Sequence, residues 1–292
     1  MKITLCIFFL FLSLFSFSQD NPVVHCKIYN THTKKLASID NITNAMTGAD
    51  VLFFGEEHND STGHQLELIF LKNLSEKYPR KIALSMEMFE TDRQTVLNEY
   101  LKGLISENSF TNDAKAWPNY GDYRPLIELA KSAGISVIAA NAPSRYTSMV
   151  NHMGLGSLKQ LDATGKSWLP PLPIDTATGP YYDKFVQIMG GHASMPGMQM
   201  YQAQNLWDAT MGWSIARFMK DHPDYKILQI NGGFHSEEKL GTAAQLIKYN
   251  PKARIINIAV YSDDSFDNPD WTKFSKMGDY IILTDPKLPK TF

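Results

Sequence analysis

Short apolar runs alternate with stretches of helical spacing through most of the chain. Residues 51–54, 82–86, 135–140, 227–230, 255–260 and 280–283 are nearly continuous in apolar side chains, the pattern of strands buried on both faces. After the first run, Leu66, Ile69, Phe70 and Leu74 recur at helical intervals, with Asp60 or Ser61 placed to cap the segment. Val96, Leu97, Tyr100 and Leu101 repeat that spacing after the second run. The alternation predicts an α/β fold: a mostly parallel sheet flanked by helices and joined by right-handed crossovers. Ahead of it, residues 23–29 and 35–38 flank a polar Asn30-Thr31-His32-Thr33 turn and predict an opening β-hairpin.

Between about residues 154 and 212 the alternation breaks. Pro170, Pro171, Pro173, Pro180 and Pro196 fall here with Met189, Met195, Met198, Met200 and Met211. This segment is expected to form a smaller helical lid inserted in the domain, whose deformable methionines can line a flat apolar ligand. A helix from about residue 200 to 219 puts Gln204 and Asp208 on one face. His192, Tyr201 and the neighbouring Met195 and Met198 are residue types able to supply an axial ligand to haem iron.

The first residues stand apart. Lys2 precedes an apolar run over residues 3–17, and Ser16 and Ser18 suit a cut before Gln19, so residues 1–18 read as a secretory signal and residues 19–292 as one domain. The expected location is across the inner membrane, periplasmic or associated with the outer envelope. Cys6 would leave with the signal, and Cys26 would then have no disulfide partner and serve as a small core residue. No lipoprotein cysteine directly follows the apolar stretch.

Composition narrows the choice further. With 43% hydrophobic and 20% charged residues, wholesale disorder is excluded. Lys and Arg number 28 against 30 Asp and Glu, a net charge of −2 that offers no broad positive field for nucleic acid. Neither a dinucleotide nor a P-loop glycine motif is present, and Gly-x-Ser-x-Gly is missing too.

Ligands of open α/β sheets sit beyond the carboxyl ends of the strands. At those ends stand Gly55-Glu56-Glu57-His58, Glu87, Asn141-Ala142-Pro143 and Asn231-Gly232-Gly233-Phe234-His235. Both histidines close a Gly-x-x-His tetrapeptide, where glycine is expected to let the chain turn out of the strand. His58, His235 and Glu87 form a candidate ligand set for a divalent metal ion. Glu56 or Glu57 would serve as ligand or general base, Glu87 as ligand or base and Asn141 as a donor to a developing oxyanion, the outline of a metal-dependent hydrolase. His64, one turn into the first helix, is a secondary candidate.

These segments, together with Trp117, Tyr123 and Pro125, Tyr201-Gln202-Ala203-Gln204 and Asp208, make the chain similar to the ChaN-like haem-binding uptake proteins of the Tiki superfamily. The resemblance runs from about residue 27 to 260. It implies an envelope protein that takes up haem, as a homodimer sandwiching haem molecules and in contact with an uptake machinery. Tyr201 is then the first choice of iron ligand and His192 the second. The wider superfamily also resembles metal-dependent proteases and erythromycin esterase-like hydrolases, for which His58, Glu87 and His235 would be the polar set.

Overall fold

The computed structural model describes residues 22–190 and 199–292. Eight strands form one sheet: β1 (Cys26–Asn30), β2 (Lys35–Ala37), β3 (Val51–Glu56), β4 (Ile82–Glu90), β5 (Ser136–Asn141), β6 (Lys226–Gly232), β7 (Ile255–Ser262) and β8 (Tyr280–Thr284). Their order is β2-β1-β8-β7-β3-β6-β4-β5. The ladders from β8 to β5 are parallel, while β1 pairs antiparallel with both β2 and β8. The six apolar runs are all strands, and the opening hairpin caps one edge. The signal sequence expected over residues 1–18 lies outside the described residues.

Successive residues of each strand face opposite sides, so one sheet separates two apolar layers. Leu52, Phe54, Leu84 and Ile230 face one layer, packed under α2 (Ser61–Lys77), α3 (Gln94–Leu101) and α5 (Tyr120–Ala133); between the last two lies the short α4 (Glu107–Asp113). Ahead of them, α1 (Ile39–Ala45) adds Ile39 and Ile42 to the same layer. Val51, Phe53, Ala83 and Ile227 face the other, covered by α9 (Met200–Asp221) and α10 (Gly241–Tyr249). Asp60 caps α2 by accepting from the Thr62 N–H, one of the two caps expected from the sequence.

Between β5 and β6 the chain runs through α6 (Ser144–Met153), α7 (Ala163–Ser167) and α8 (Pro180–Met189) before reaching α9. This segment has a small apolar cluster of its own, including Val150, Leu158, Leu169, Ile174, Ala203 and Leu206. Helix α9 serves both bodies, since Leu206 enters that cluster while Met211 and Ile215 pack on the sheet. A final short helix, α11 (Trp271–Phe274), packs Phe274 with Phe266, Ile281 and Leu283 beside β8. Among the described residues, no helix is long and apolar enough to cross a membrane.

Candidate functional site

Strand order explains how distant residues meet. β3, β6 and β4 are parallel neighbours, with Glu56 opposite Gly232 and Met86 opposite Ile230, so their carboxyl ends share one stretch of sheet edge. Glu56, Glu87, His58 and His235 converge there. Beyond Met86 the β4–β5 ladder shifts register, and Glu87, at the start of that break, turns its carboxylate to accept the Gly232 N–H at 2.8 Å.

Both glycines of the paired tetrapeptides are needed for space rather than for a turn. Gly55 and Gly232 each remain within a strand, and Gly232 has a φ of −56°, open to any residue. A side chain on Gly232 would lie 2.7 Å from His58 Nε2, and one on Gly55 would meet Ser236 Oγ at 2.8 Å and Gly233 Cα at 3.1 Å. The expectation of a glycine-made exit from the strand is corrected accordingly: what glycine permits is the close approach of one strand-end loop to the next.

His58 Nδ1 donates to Glu56 Oε1 at 2.7 Å, leaving Nε2 as the ring's outward atom; the side chain is 38% exposed. The Trp117 ring stands edge-on to it at 5.2 Å. Glu56 Oε1 also accepts the Tyr123 hydroxyl at 2.7 Å. His235 is buried; its Nδ1 donates to Asp208 Oδ1 at 2.7 Å, and its Nε2 lies 3.5 Å from Glu87 Oε1. Asp208 accepts in addition from Thr242 Oγ1 at 2.9 Å and from Tyr181 Oη at 2.5 Å. A cleft of about 300 Å³ opens between them, lined by Glu56, His58 and His235 on its floor and by Phe185, Ile188, Met189 and Phe234 on its wall.

The electrostatics follow from burial set against pairing. Burial disfavours the charged form of His235, yet Glu87 and Asp208 outweigh it and push the pKa up to about 10. Burial likewise opposes ionisation of Glu87, but His235, His58 and the Gly232 N–H hold its pKa below the usual carboxylate range. His58 is raised: desolvation works against its charge, and the Glu56 hydrogen bond with the charge of Glu87 prevails.

Behind this cleft lies a second group. Donor atoms of Glu56, His64 and Glu67 all come within 4.8 Å of one another, all three residues being buried. His64 Nε2 donates to the His58 carbonyl at 3.1 Å. Glu56, despite its burial, is held well below the usual carboxylate range by His58 and His64, whereas desolvation and the neighbouring Glu56 charge hold Glu67 well above it.

Other predicted residues sit elsewhere. Asn141 closes on its own chain, accepting from the Ala142 N–H at 2.9 Å at the end of β5, beyond the β4 register shift. Tyr201 opens α9 behind the cleft wall, its hydroxyl donating to the Ala177 carbonyl at 2.6 Å and its ring set against Tyr182 and Phe185. His192, Met195 and Met198 lie outside the described residues. Glu67 escaped sequence reading altogether, although its signal was available: it follows His64 by three positions on α2, one helical face. Tyr123 belongs to a segment that carries the family resemblance, but nothing in the sequence aims it at Glu56.

The family model for haem-binding uptake proteins, Tiki superfamily, ChaN, matches residues 42–246. The chain belongs to that family. Among solved structures, a ChaN of Campylobacter jejuni with cofacially bound haem superimposes with a TM-score of 0.67 at 16% identity, covering 89% of this chain and 97% of that one. A Bacillus cereus protein gives a TM-score of 0.50 at 13% identity over 90% of this ChaN-like chain and 95% of its own. At such identities the likeness concerns the fold. Among curated proteins, the chloroplastic RETICULATA-RELATED 5 of Arabidopsis thaliana is 25% identical over 133 residues, 43% of this chain and 18% of the plant protein. The chain thus matches less than a fifth of that relative's length.

Proposed function

We propose that this ChaN-like protein binds haem where α8 meets the strand-end cleft, and that it acts in the cell envelope in haem or iron uptake. The observation that carries the reading is the mixed character of that face. Phe185, Ile188, Met189 and Phe234 form an apolar wall over a floor of imidazole and carboxylate, and Tyr182 and Ile188 of α8 remain 47% and 64% exposed. A flat ring with an apolar body and polar edges suits such a surface. The cleft's volume of about 300 Å³ stands at the low end of the roughly 300–1,000 Å³ of ligand sites, so a porphyrin would project from it. A second copy of the chain covering the projecting face accounts for a homodimer, in keeping with the cofacial haem of the Campylobacter relative. Export by the amino-terminal signal and contact with uptake machinery complete the proposal.

Tyr201 is the proposed iron ligand, with His192 as second choice and Met195 and Met198 lining the ring. For Tyr201 to ligate, its phenol would exchange the hydrogen bond to the Ala177 carbonyl for the metal. The test is a hemin titration of the purified protein followed at the Soret band. A saturable band that shifts in Tyr201→Phe supports both parts; saturable binding with an unchanged spectrum in that variant removes Tyr201 as the ligand, and no saturable binding removes the haem reading.

One observation favours a second reading, that of a metal-dependent hydrolase. The Glu56–His58 pair leaves an imidazole nitrogen facing a cleft beside Glu87 and His235, an arrangement able to take a proton from water or to hold a metal. Here His58, Glu87 and His235 would be the ligands and Glu56 the positioning carboxylate. Peptide and ester assays with added Mn²⁺, Co²⁺ or Zn²⁺ decide it; inertness under all three counts against it.

A further inference from the structure

Glu56 serves the cleft through one carboxylate oxygen only, its neighbours His64 and Glu67 are used by neither reading, and the hydrogen bonds of this group do not close. Glu56 Oε1 is fully used, accepting from His58 and Tyr123. Glu56 Oε2, both oxygens of Glu67 and His64 Nδ1 are buried and have no hydrogen-bond partner of acceptable geometry. Glu67 is 0% exposed. The His64 imidazole lies within ion-pair distance of both carboxylates, but buried polar atoms are almost always hydrogen-bonded, and four that are not point to a further partner able to satisfy them.

Geometry indicates what that partner is. His64 Nδ1 lies 3.2 Å from Glu56 Oε2 and 3.6 Å from Glu67 Oε2. A tetrahedral ion bound at ~2.0–2.2 Å places neighbouring donors ~3.3 Å apart, and the observed separations lie on either side of that value. The His64 ring is also oriented for the task. Its Nε2–H donates to the His58 carbonyl, the outer contact that ligating histidines ordinarily make, and its Nδ1 faces the two carboxylates, where it can exchange its proton for a metal ion. Two carboxylates, one neutral imidazole and a dication sum to zero charge, the condition under which a fully buried ionic group is tolerable.

We propose that Glu56 Oε2, His64 Nδ1 and Glu67 hold a divalent transition-metal ion of the zinc class, buried behind the cleft. This site is separate from the His58, Glu87 and His235 set and does not depend on haem binding. Its nitrogen and oxygen donors suit Zn²⁺ or Mn²⁺ better than a soft ion. The site anchors β3 to α2 and fixes Glu56, which in turn orients His58, so its role is to hold the cleft floor in place. Because its donors are enclosed, the ion enters as the chain folds.

The full chain is unfolded in chelator, refolded with or without Zn²⁺, dialysed, and analysed for metal content and melting temperature. The expected result is about one bound ion per chain and a melting temperature higher than that of protein refolded without metal. Glu67→Gln and His64→Gln should retain less than about a tenth of the metal, while Glu87→Gln, altered only in the cleft set, retains it. Absence of bound zinc in the refolded wild type overturns the proposal, as does full metal content in Glu67→Gln. Should Glu67→Gln fail to fold, the wild-type comparison decides, and an unchanged melting temperature with and without Zn²⁺ overturns the site.

Discussion

Asp208 joins three elements: its carboxylate accepts from His235 beyond β6, from Thr242 at the start of α10 and from Tyr181 at the start of α8. Glu87 and then Asp208 keep His235 protonated; Asp208→Asn removes the second of these charges, and breaking such a buried pair costs about 3–5 kcal/mol, read as a lower melting temperature. The pH dependence has a definite sign. The folded pKa of His235, about 10, lies above its ordinary 6.5, so the pair's stabilisation is complete below about pH 6.5 and is lost as pH rises through about 10. The melting-temperature gap between wild type and Asp208→Asn should therefore be widest in mild acid and narrow toward that pH. Cys26 offers a second check. Burial first, and then the charge of Asp60, push its thiol up to about 11, so alkylation by iodoacetamide near pH 8 should run more than about a hundredfold slower than for a free thiol. At this scale His58 and His235 were legible in the sequence, because each ends a Gly-x-x-His at a strand end. Glu67 and Tyr123 were not, since only the packing of α2 and α5 against the end of β3 brings them to Glu56.

The strands were the most legible elements, being short, apolar and separated by helical spacing. Helix α9 was also visible, expected over about residues 200–219 and observed over Met200–Asp221. What the sequence could not give was the lateral order of strands, which puts β6 between β3 and β4 and so assembles the cleft. It also hid the lengthening of β4 to Glu90 and the register shift after Met86. The role of Gly232 follows from this order. In Gly232→Ala the new methyl meets only the tip of the His58 side chain, so stability should change by less than about 1 kcal/mol while the ring is displaced. The His58 ring resonances in an NMR spectrum should move, with the melting curve nearly superimposable on that of wild type. A large loss of stability would show that the strand-end loops have no room to adjust.

For the molecule as a whole, one sheet gathers polar side chains at a single edge, and the helical segment between β5 and β6 lays an apolar wall over them. That wall continues into Tyr182 and Ile188 on α8, both exposed, which the proposed ligand or a second copy would cover. The most direct test of haem binding at this face is a Soret-monitored hemin titration of wild type beside the double variant Tyr182→Ser/Ile188→Ser. Both positions are exposed, so the variant should fold normally. The account predicts saturable binding by the wild type and at least about tenfold weaker binding by the variant, the loss expected for two apolar contacts. Equal affinities, or a wild type that never saturates, would contradict it.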